Sequence, residues 1–585
     1  MIVIDRVSFR YRGSERDSLR TICFKAAAGE FIGITGPSGA GKTTLGYAIN
    51  GIVPRRFPGD FFGELRVKGL DTIETGPEIL ARHVGNVLQD IDGQMLSSTV
   101  EDEILFGLEN FGFSPEEIEE RLESALAQAG IAGLRDRALS SLSGGQKQKT
   151  AIAAVTALRP SILLLDEPTG ELDPLSSRRV FEYLKKLNQE QGITIIVIEQ
   201  KIALLCEFVD RLAVMDRGEL ILEGDAAGVL RRGERLEAAG VDIPRISTLA
   251  EKLRQAGLYR GDPPVNLAQA EAMVRQVCPA GILGADCGVK PGNPGGGPGD
   301  PAGGPADSSR AGGSPKEALR FDRVSFAYTK NGPPLLQDIS FRLMAGEFAV
   351  LLGENGAGKS TLARLCNGLL RPLSGAVIAA GMDTRRTKTS VLARRTGFLF
   401  QNPDRQICRS TVREEILFGL QNIFPGEREE REKRCKEMLE RFSLPGEREP
   451  FGMSRGERQR IALASALALK PELLILDEPS TGLDYRECTL VMGALAELNR
   501  EGTAVLMITH DMEAACDYAR RALILSGGRL AADCSVREAM KNRALLAPAS
   551  LLPAQIPALA LALGPVFEGV YTVDEMVEAI HDRIA

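Results

Sequence analysis

The internal repeat of this 585-residue chain limits its fold more than any other feature, because two long stretches carry the same features in the same order. Val7-Ser-Phe-Arg-Tyr11 recurs as Val324-Ser-Phe-Ala-Tyr328. Gly36-Pro37-Ser38-Gly39-Ala40-Gly41-Lys42-Thr43-Thr44 recurs as Gly353-Glu354-Asn355-Gly356-Ala357-Gly358-Lys359-Ser360-Thr361, and both pairs stand 317 residues apart. Val87-Leu-Gln89-Asp90 then matches Leu399-Phe-Gln401-Asn402 at an offset of 312, and Leu164-Leu-Asp166-Glu167-Pro168 matches Ile475-Leu-Asp477-Glu478-Pro479 at 311. The first half carries a small insertion around residues 52–63. One hydrophobic core stops growing well below this chain length, so the repeat implies two domains of one kind.

Between the halves, residues 279–316 hold 7 Pro and 12 Gly in 38 positions. Such a segment cannot form a packed core and reads as a flexible tether, with an average reach of about 34 Å for a flexible coil of that length. Within each half, short runs that are apolar on both faces (Phe31-Ile-Gly-Ile-Thr35, Ile162 to Leu165, Thr194-Ile-Ile-Val-Ile198) alternate with helical stretches, which predicts a covered parallel sheet. Ser114 to Gly130 is acidic and then amphipathic, and reads as a helical insertion on that sheet.

The net charge of -7 argues against a polyanion as the main partner, so no nucleic acid is expected. Ten scattered cysteines without a Cys-x-x-Cys suggest neither zinc nor a disulfide framework. The N-terminus lacks the layout of a signal peptide. The most apolar stretch, Leu551 to Phe567, is broken by Gln555 and three prolines. A soluble chain is expected, with any membrane role exerted through a partner.

Gly36-x-x-x-x-Gly41-Lys42-Thr43 and Gly353-x-x-x-x-Gly358-Lys359-Ser360 each follow a strand-like run and precede a helical one, the context of a phosphate-binding P-loop. Backbone N–H groups would wrap the β-phosphate of ATP, the lysine would reach the β- and γ-oxygens, and the Thr43 or Ser360 hydroxyl would ligate Mg²⁺. Asp166 and Asp477 end apolar runs where a carboxylate can hold the metal, and Glu167 and Glu478 follow as candidate general bases. Gln89 and Gln401 are placed to touch Mg²⁺ and the attacking water. Tyr11 and Tyr328 precede their lysines by 31 residues, and either a nucleobase stack or a half-buried strand tyrosine fits them.

P-loop, glutamine, Leu142-Ser143-Gly144-Gly145-Gln146, Leu-Asp-Glu-Pro and a following Leu-Asp (Leu172-Asp173, Leu483-Asp484) in this order resemble the nucleotide-binding domains of ABC ATPases, in both halves. The resemblance implies an α/β fold: two P-loop NTPase domains, each with a parallel-sheet core, an antiparallel β part and a helical subdomain. It implies boundaries of 1–240 and 317–536 for the domains, 241–278 and 537–585 for C-terminal extensions, and 279–316 for the linker. It also implies an intramolecular pseudo-dimer, with each ATP between the P-loop of one half and the Ser-Gly-Gly turn of the other.

Gln94 to Leu108 and Gln406 to Leu420, sharing Ser-Thr-Val-x-x-Glu-Ile-Leu-Phe-Gly-Leu, resemble the ATPases of energy-coupling factor (ECF) importers of vitamins, vitamin precursors and transition metal ions. A transmembrane coupling subunit, a substrate-binding membrane subunit and a place at the cytoplasmic face of the cell membrane follow from that resemblance. Thr99-x-x-Asp102 and Thr411-x-x-Glu414 are helix-start patterns within it. Another type of ABC transporter ATPase, or a soluble tandem ABC protein acting on ribosomes or nucleic acid, stays open as an alternative.

The halves differ where the chemistry lies. The family's histidine after the next strand is His510 in the second half and Gln200 in the first, and Gln200 cannot carry an imidazole's charge. The turn Ser143-Gly144-Gly145-Gln146 becomes Ser454-Arg455-Gly456-Glu457, where a left-handed backbone at Arg455 would cost about 1 kcal/mol. Sharing of sites across the halves therefore makes the site on the second P-loop, with Glu478, His510 and the intact turn, the expected seat of most hydrolysis.

Overall fold

The computed structural model describes residues 1–170, 172–278, 316–329, 332–424 and 426–584. Apart from Lys316, the expected linker lies outside the described residues. The chain divides into two units, Met1–Met273 and Val274–Ala585.

The first unit contains β1 (Ile2–Tyr11), β2 (Leu19–Ala26), β3 (Phe31–Thr35), β4 (Gly59–Val67), β5 (Leu70–Asp71), β6 (Val84–Val87), β7 (Ile162–Asp166), β8 (Thr194–Ile198), β9 (Arg211–Asp216) and β10 (Glu219–Gly224). They form a four-stranded antiparallel sheet, β2-β1-β4-β5, and a six-stranded sheet, β10-β9-β3-β8-β7-β6, parallel except at β10. Every residue of β3, β7 and β8 is buried, because the period-2 alternation sends side chains into two different cores. Leu163, Leu165, Ile195 and Val197 join the helical side, with Ile104, Leu122, Leu126 and Ile152. Ile162, Leu164, Ile196 and Ile198 face the antiparallel sheet and the P-loop helix, meeting Ile4, Phe9, Leu45 and Ile49.

The second unit repeats the plan with β11 (Glu317–Phe326), β12 (Leu336–Met344), β13 (Phe348–Gly353), β14 (Ser374–Ala379), β15 (Met382–Asp383), β16 (Thr396–Leu399), β17 (Leu473–Asp477), β18 (Ala504–Ile508), β19 (Arg521–Ser526) and β20 (Arg529–Ser535). Its sheets run β12-β11-β14-β15 and β16-β17-β18-β13-β19-β20. The insertion at residues 52–63 lengthens one strand: β4 has nine residues against six in β14 and reaches Tyr11, which pairs with Gly59.

The helical subdomain forms where its caps predict it. Thr99 accepts from the Asp102 N–H and Thr411 from the Glu414 N–H, starting helices Val100–Asn110 and Val412–Ile423. Ser114 and Glu117 close a capping box on helix Pro115–Ala129. The apolar stretch near the C-terminus becomes a nine-residue helix, Gln555–Leu563. Among the described residues no helix is long and apolar enough to cross a membrane.

Candidate functional site: two phosphate-binding loops and their strand-end carboxylates

In each unit the central strand, β3 or β13, runs into the glycine-rich loop, and the helix Lys42–Ile49 or Lys359–Cys366 begins at the lysine itself. That arrangement aims helix N-terminal N–H groups at the loop, the standard setting for a bound phosphate. Gly36 (φ 148°) and Gly353 (φ 157°) open the loops. A Cβ on them would stand 2.1 Å from the Met215 carbonyl oxygen and 2.3 Å from that of Leu525, so only glycine fits. Lys42 and Lys359 are buried, and each Nζ donates to carbonyls of its own loop: Gly36 (2.7 Å) and Pro37 (2.8 Å) in the first, Gly353 (2.7 Å) and Glu354 (2.9 Å) in the second.

Tyr11 and Tyr328 share hydrogen bonds with Thr44 (3.1 Å) and Thr361 (3.0 Å) on the P-loop helices, so both flank the loops. Their surroundings differ. The ring of Tyr11 has Phe57 of the insertion at 6.4 Å, edge on, whereas Tyr328 is 62% exposed.

Asp166 and Asp477 end β7 and β17, buried beside the P-loop hydroxyls. Burial raises the pKa of Asp166 against the pull of the Thr43 hydroxyl and Lys42. Burial likewise pushes Asp477 up to about 6, while the Ser360 hydroxyl pulls it down. Asp166 Oδ1 is buried and has no hydrogen-bond partner among the described residues, which is the environment a cation would relieve.

Glu167 and Glu478 come next, both with left-handed backbone (φ 47° and 53°) although neither is glycine. Such a conformation costs on the order of 1–3 kcal/mol and persists where the surroundings over-determine it. Here the Glu167 N–H bonds to Ile198 O (2.8 Å) and the Glu478 N–H to Ile508 O (3.0 Å), tying each residue to the neighbouring strand.

The two glutamates have different partners. Glu167 is clamped by two amides, Gln89 Nε2 to its Oε2 and Gln200 Nε2 to its Oε1, both at 2.7 Å. Burial and then the nearby Glu199 push its pKa to about 7 against the pull of Lys42. Glu478 Oε2 lies 2.9 Å from His510 Nδ1. Burial pushes Glu478 up, but the charge available on His510 and on Lys359 outweighs it and holds the carboxylate below its ordinary value. No corresponding bond joins Gln401 to Glu478 among the described residues.

One network escaped sequence reasoning. Buried Glu199 accepts from Thr169 Oγ1 (2.5 Å) and from the N–H groups of Gln200 (2.8 Å) and Lys201 (3.3 Å). Lys201 Nζ in turn donates to Thr169 O (2.7 Å) and Ser177 Oγ (3.1 Å), so the turn that carries Gln200 is sewn to the loop after Glu167. In the second unit Asp511 instead caps its own helix through the Ala514 N–H (3.0 Å). A buried Glu-x-Lys at a strand end was the available signal.

The signature turns are helix starts. Ser143 caps helix Gly144–Thr156 in a capping box with Gln146, and Ser454 caps helix Arg455–Leu467 with Glu457. This corrects the expectation of left-handed strain at Arg455. Arg455 is the first residue of a right-handed helix and is absent from the left-handed positions, so its backbone costs nothing special. Gly456 is the constrained residue, since a Cβ there would lie 2.3 Å from the Glu487 carboxylate. Ser143→Ala or Ser454→Ala is expected to remove about 1 kcal/mol of stability from its unit, measured by thermal unfolding.

The ABC transporter family model matches residues 19–170 and 336–481, one segment in each unit. An ABC transporter ATP-binding protein named in Caldanaerobacter subterraneus subsp. tengcongensis is 36% identical over 98% of this chain and 98% of its own length. A Bacillus subtilis protein named for HMP/thiamine import ATP binding is 34% identical over 92% of this chain and 91% of its own. Among solved structures, cbiO1 of Clostridium perfringens, described as part of the ABC transporter complex cbiONQ, aligns at 32% identity and a TM-score of 0.38, covering 43% of this chain and 98% of that one. Two family segments and end-to-end relatives give one conclusion: the chain belongs to the ABC transporter family as a tandem ATP-binding protein, an ATPase that uses ATP with Mg²⁺.

Proposed function

We propose that this ATPase is the energy-coupling subunit of an ECF-type importer of a vitamin, a vitamin precursor or a transition metal ion, seated at the cytoplasmic face of the membrane through a transmembrane coupling subunit. The observation that carries the reading is the end-to-end similarity to a protein named for HMP/thiamine import. The shared Ser-Thr-Val-x-x-Glu-Ile-Leu-Phe-Gly-Leu segment supports it, because Phe106 on its helix is 47% exposed, an apolar group free to meet a membrane subunit.

In this reading the two units close on two ATP molecules. Lys42 and Lys359 bind the β- and γ-phosphates, and Tyr11 and Tyr328 flank the nucleobase. The turns Ser143-Gly144-Gly145-Gln146 and Ser454-Arg455-Gly456-Glu457 meet the phosphates held by the opposite unit. Thr43, Gln89 and Asp166, and Ser360, Gln401 and Asp477, are the residues that would hold Mg²⁺, which neutralises phosphate charge when bound. Glu478, kept ionised beside His510, accepts the proton of the attacking water. Glu167 has both carboxylate oxygens engaged by the amides of Gln89 and Gln200, which leaves it less free to take the proton of a water, so the site on the first P-loop chiefly binds ATP.

Purification from membranes in mild detergent tests the partner. A copurifying multi-span membrane protein is expected to be retained through high salt, whereas recovery with ribosomes, or in a salt-sensitive nucleic-acid complex, would refute the importer reading.

A further inference from the structure

Under the helix Pro115–Ala129 of the first unit lies a cavity of about 360 Å³ whose walls include Arg121, Gln128, Thr156, Arg159 and Gln191. That volume is within the range of small-ligand sites, about 300–1,000 Å³. Its walls come from the helical subdomain, from the end of the signature helix Gly144–Thr156, and from the turn leading into β8. A ligand there would touch the helical subdomain and the sheet core at once.

The lining is cationic, with two guanidiniums and no carboxylate. Arg121 lies over the Phe113 ring at 4.0 Å and donates Nη1 to Ala157 O at 2.9 Å, which leaves other N–H groups of its fork available. Arg159 sits at the rim, bonded to the exposed Glu120 at 2.8 Å. Behind Thr156, and outside the cavity wall, the Tyr183 hydroxyl is buried against the Thr156 hydroxyl. The Thr156 hydroxyl itself is committed to Ile152 O at 2.8 Å.

The second unit provides an internal control. Arg434 repeats Arg121, over Phe424 at 4.0 Å and donating to Ala468 O at 3.3 Å. Lys470 repeats Arg159, with the same left-handed backbone (φ 52° and 53°). Where the first unit has Gln128 and Tyr183, however, the second has Arg441 and Ala494, and Glu497 stands at the position of Lys186. Arg441 donates to Ala494 O at 3.3 Å and pairs with Glu497, so the second unit occupies this place with its own ion pair. The first unit has an uncharged amide there, Gln128, which accepts from Gln191 Nε2 at 2.7 Å and donates to Ser124 Oγ at 3.0 Å, and a cation in place of the glutamate.

We propose that this cavity of the first unit is a binding site for a small phosphorylated molecule, its phosphate held by Arg121 and Arg159 and its remaining atoms by Gln128 and Gln191. Guanidinium forks suit a phosphate because they donate paired, charge-assisted hydrogen bonds. Bound there, the molecule would fasten the helical subdomain to the sheet core of one unit only.

Isothermal titration tests this with the full chain presaturated with a non-hydrolysable ATP analogue and Mg²⁺, so that neither P-loop can take the probe. Inorganic phosphate and glucose 6-phosphate are the two probes. Saturable binding of glucose 6-phosphate to one site per chain is expected, and saturation by phosphate with equal affinity would identify the free anion as the occupant. Arg159→Gln, at the exposed rim, should weaken binding about tenfold or more, the usual effect of losing a charged hydrogen-bond donor. The double variant Gln128→Arg with Lys186→Glu recreates the second unit's ion pair and should abolish binding while ATP-analogue binding is unchanged. Absence of saturable binding by both probes, or unaltered binding in the double variant, would overturn the proposal.

Discussion

Glu478→Gln is expected to lower ATP turnover by the full chain about 10²- to 10⁴-fold, the ordinary cost of losing a positioned proton acceptor, while Glu167→Gln leaves most of the turnover. The difference comes from partners rather than position. Both carboxylates follow a buried strand-end aspartate and both have left-handed backbone bonded to the next strand. Glu478 lies against His510 at 2.9 Å and is held ionised, ready to take a proton. Glu167 already spends both carboxylate oxygens on amides at 2.7 Å, so glutamine in its place is expected to keep the packing at little cost in turnover. His510→Ala should follow Glu478→Gln in direction, because it removes the charge that outweighs burial. Loss of turnover in Glu167→Gln with Glu478→Gln nearly unaffected would reverse the assignment.

Gly36→Ala and Gly353→Ala carry the second large effect. Each puts a methyl group 2.1–2.3 Å from a carbonyl oxygen of the next strand, Met215 in one unit and Leu525 in the other. Backbone cannot yield as a flexible side chain would, and the positive φ adds strain for any L-residue. A loss of about 3 kcal/mol of stability in the altered unit is expected, together with loss of nucleotide binding at that loop. Thermal unfolding and fluorescent-nucleotide titration would read both. Unchanged unfolding with full binding would mean that the loop accepts a side chain, contrary to the geometry.

Features that follow short-range rules were legible before the fold was known. The P-loops are one such case, since the spacing from Gly36 to Lys42 encodes the turn within seven residues. Thr99, Thr411 and Ser114 cap their helices as the residue types require. The runs Phe31–Thr35, Ile162–Leu165 and Thr194–Ile198 are mostly apolar, and buried at every position, because they are covered on both faces.

Other features were illegible because they depend on neighbours distant in the sequence. Arg455 looked strained when compared with a glycine, yet its φ is set by the helix that Ser454 caps. Gln200 could be recognised as lacking a charge, but its bond to Glu167 depends on Glu199 and Lys201 gripping residues around Thr169. The exchange of Arg441 for Gln128 carries no signal of its own in the sequence, because both residues suit the polar side of a helix. Only the carbonyl of Ala494 and the carboxylate of Glu497 reveal what Arg441 fills.

The inequality of the two sites is measured most directly by the nucleotide that the chain retains during turnover. The full chain, cycled with Mg²⁺-ATP and passed rapidly through a desalting column, is analysed for bound ATP and ADP. One ATP and one ADP per chain are predicted, the ATP lost in Lys42→Ala and the ADP lost in Lys359→Ala; two ADP per chain would contradict the account.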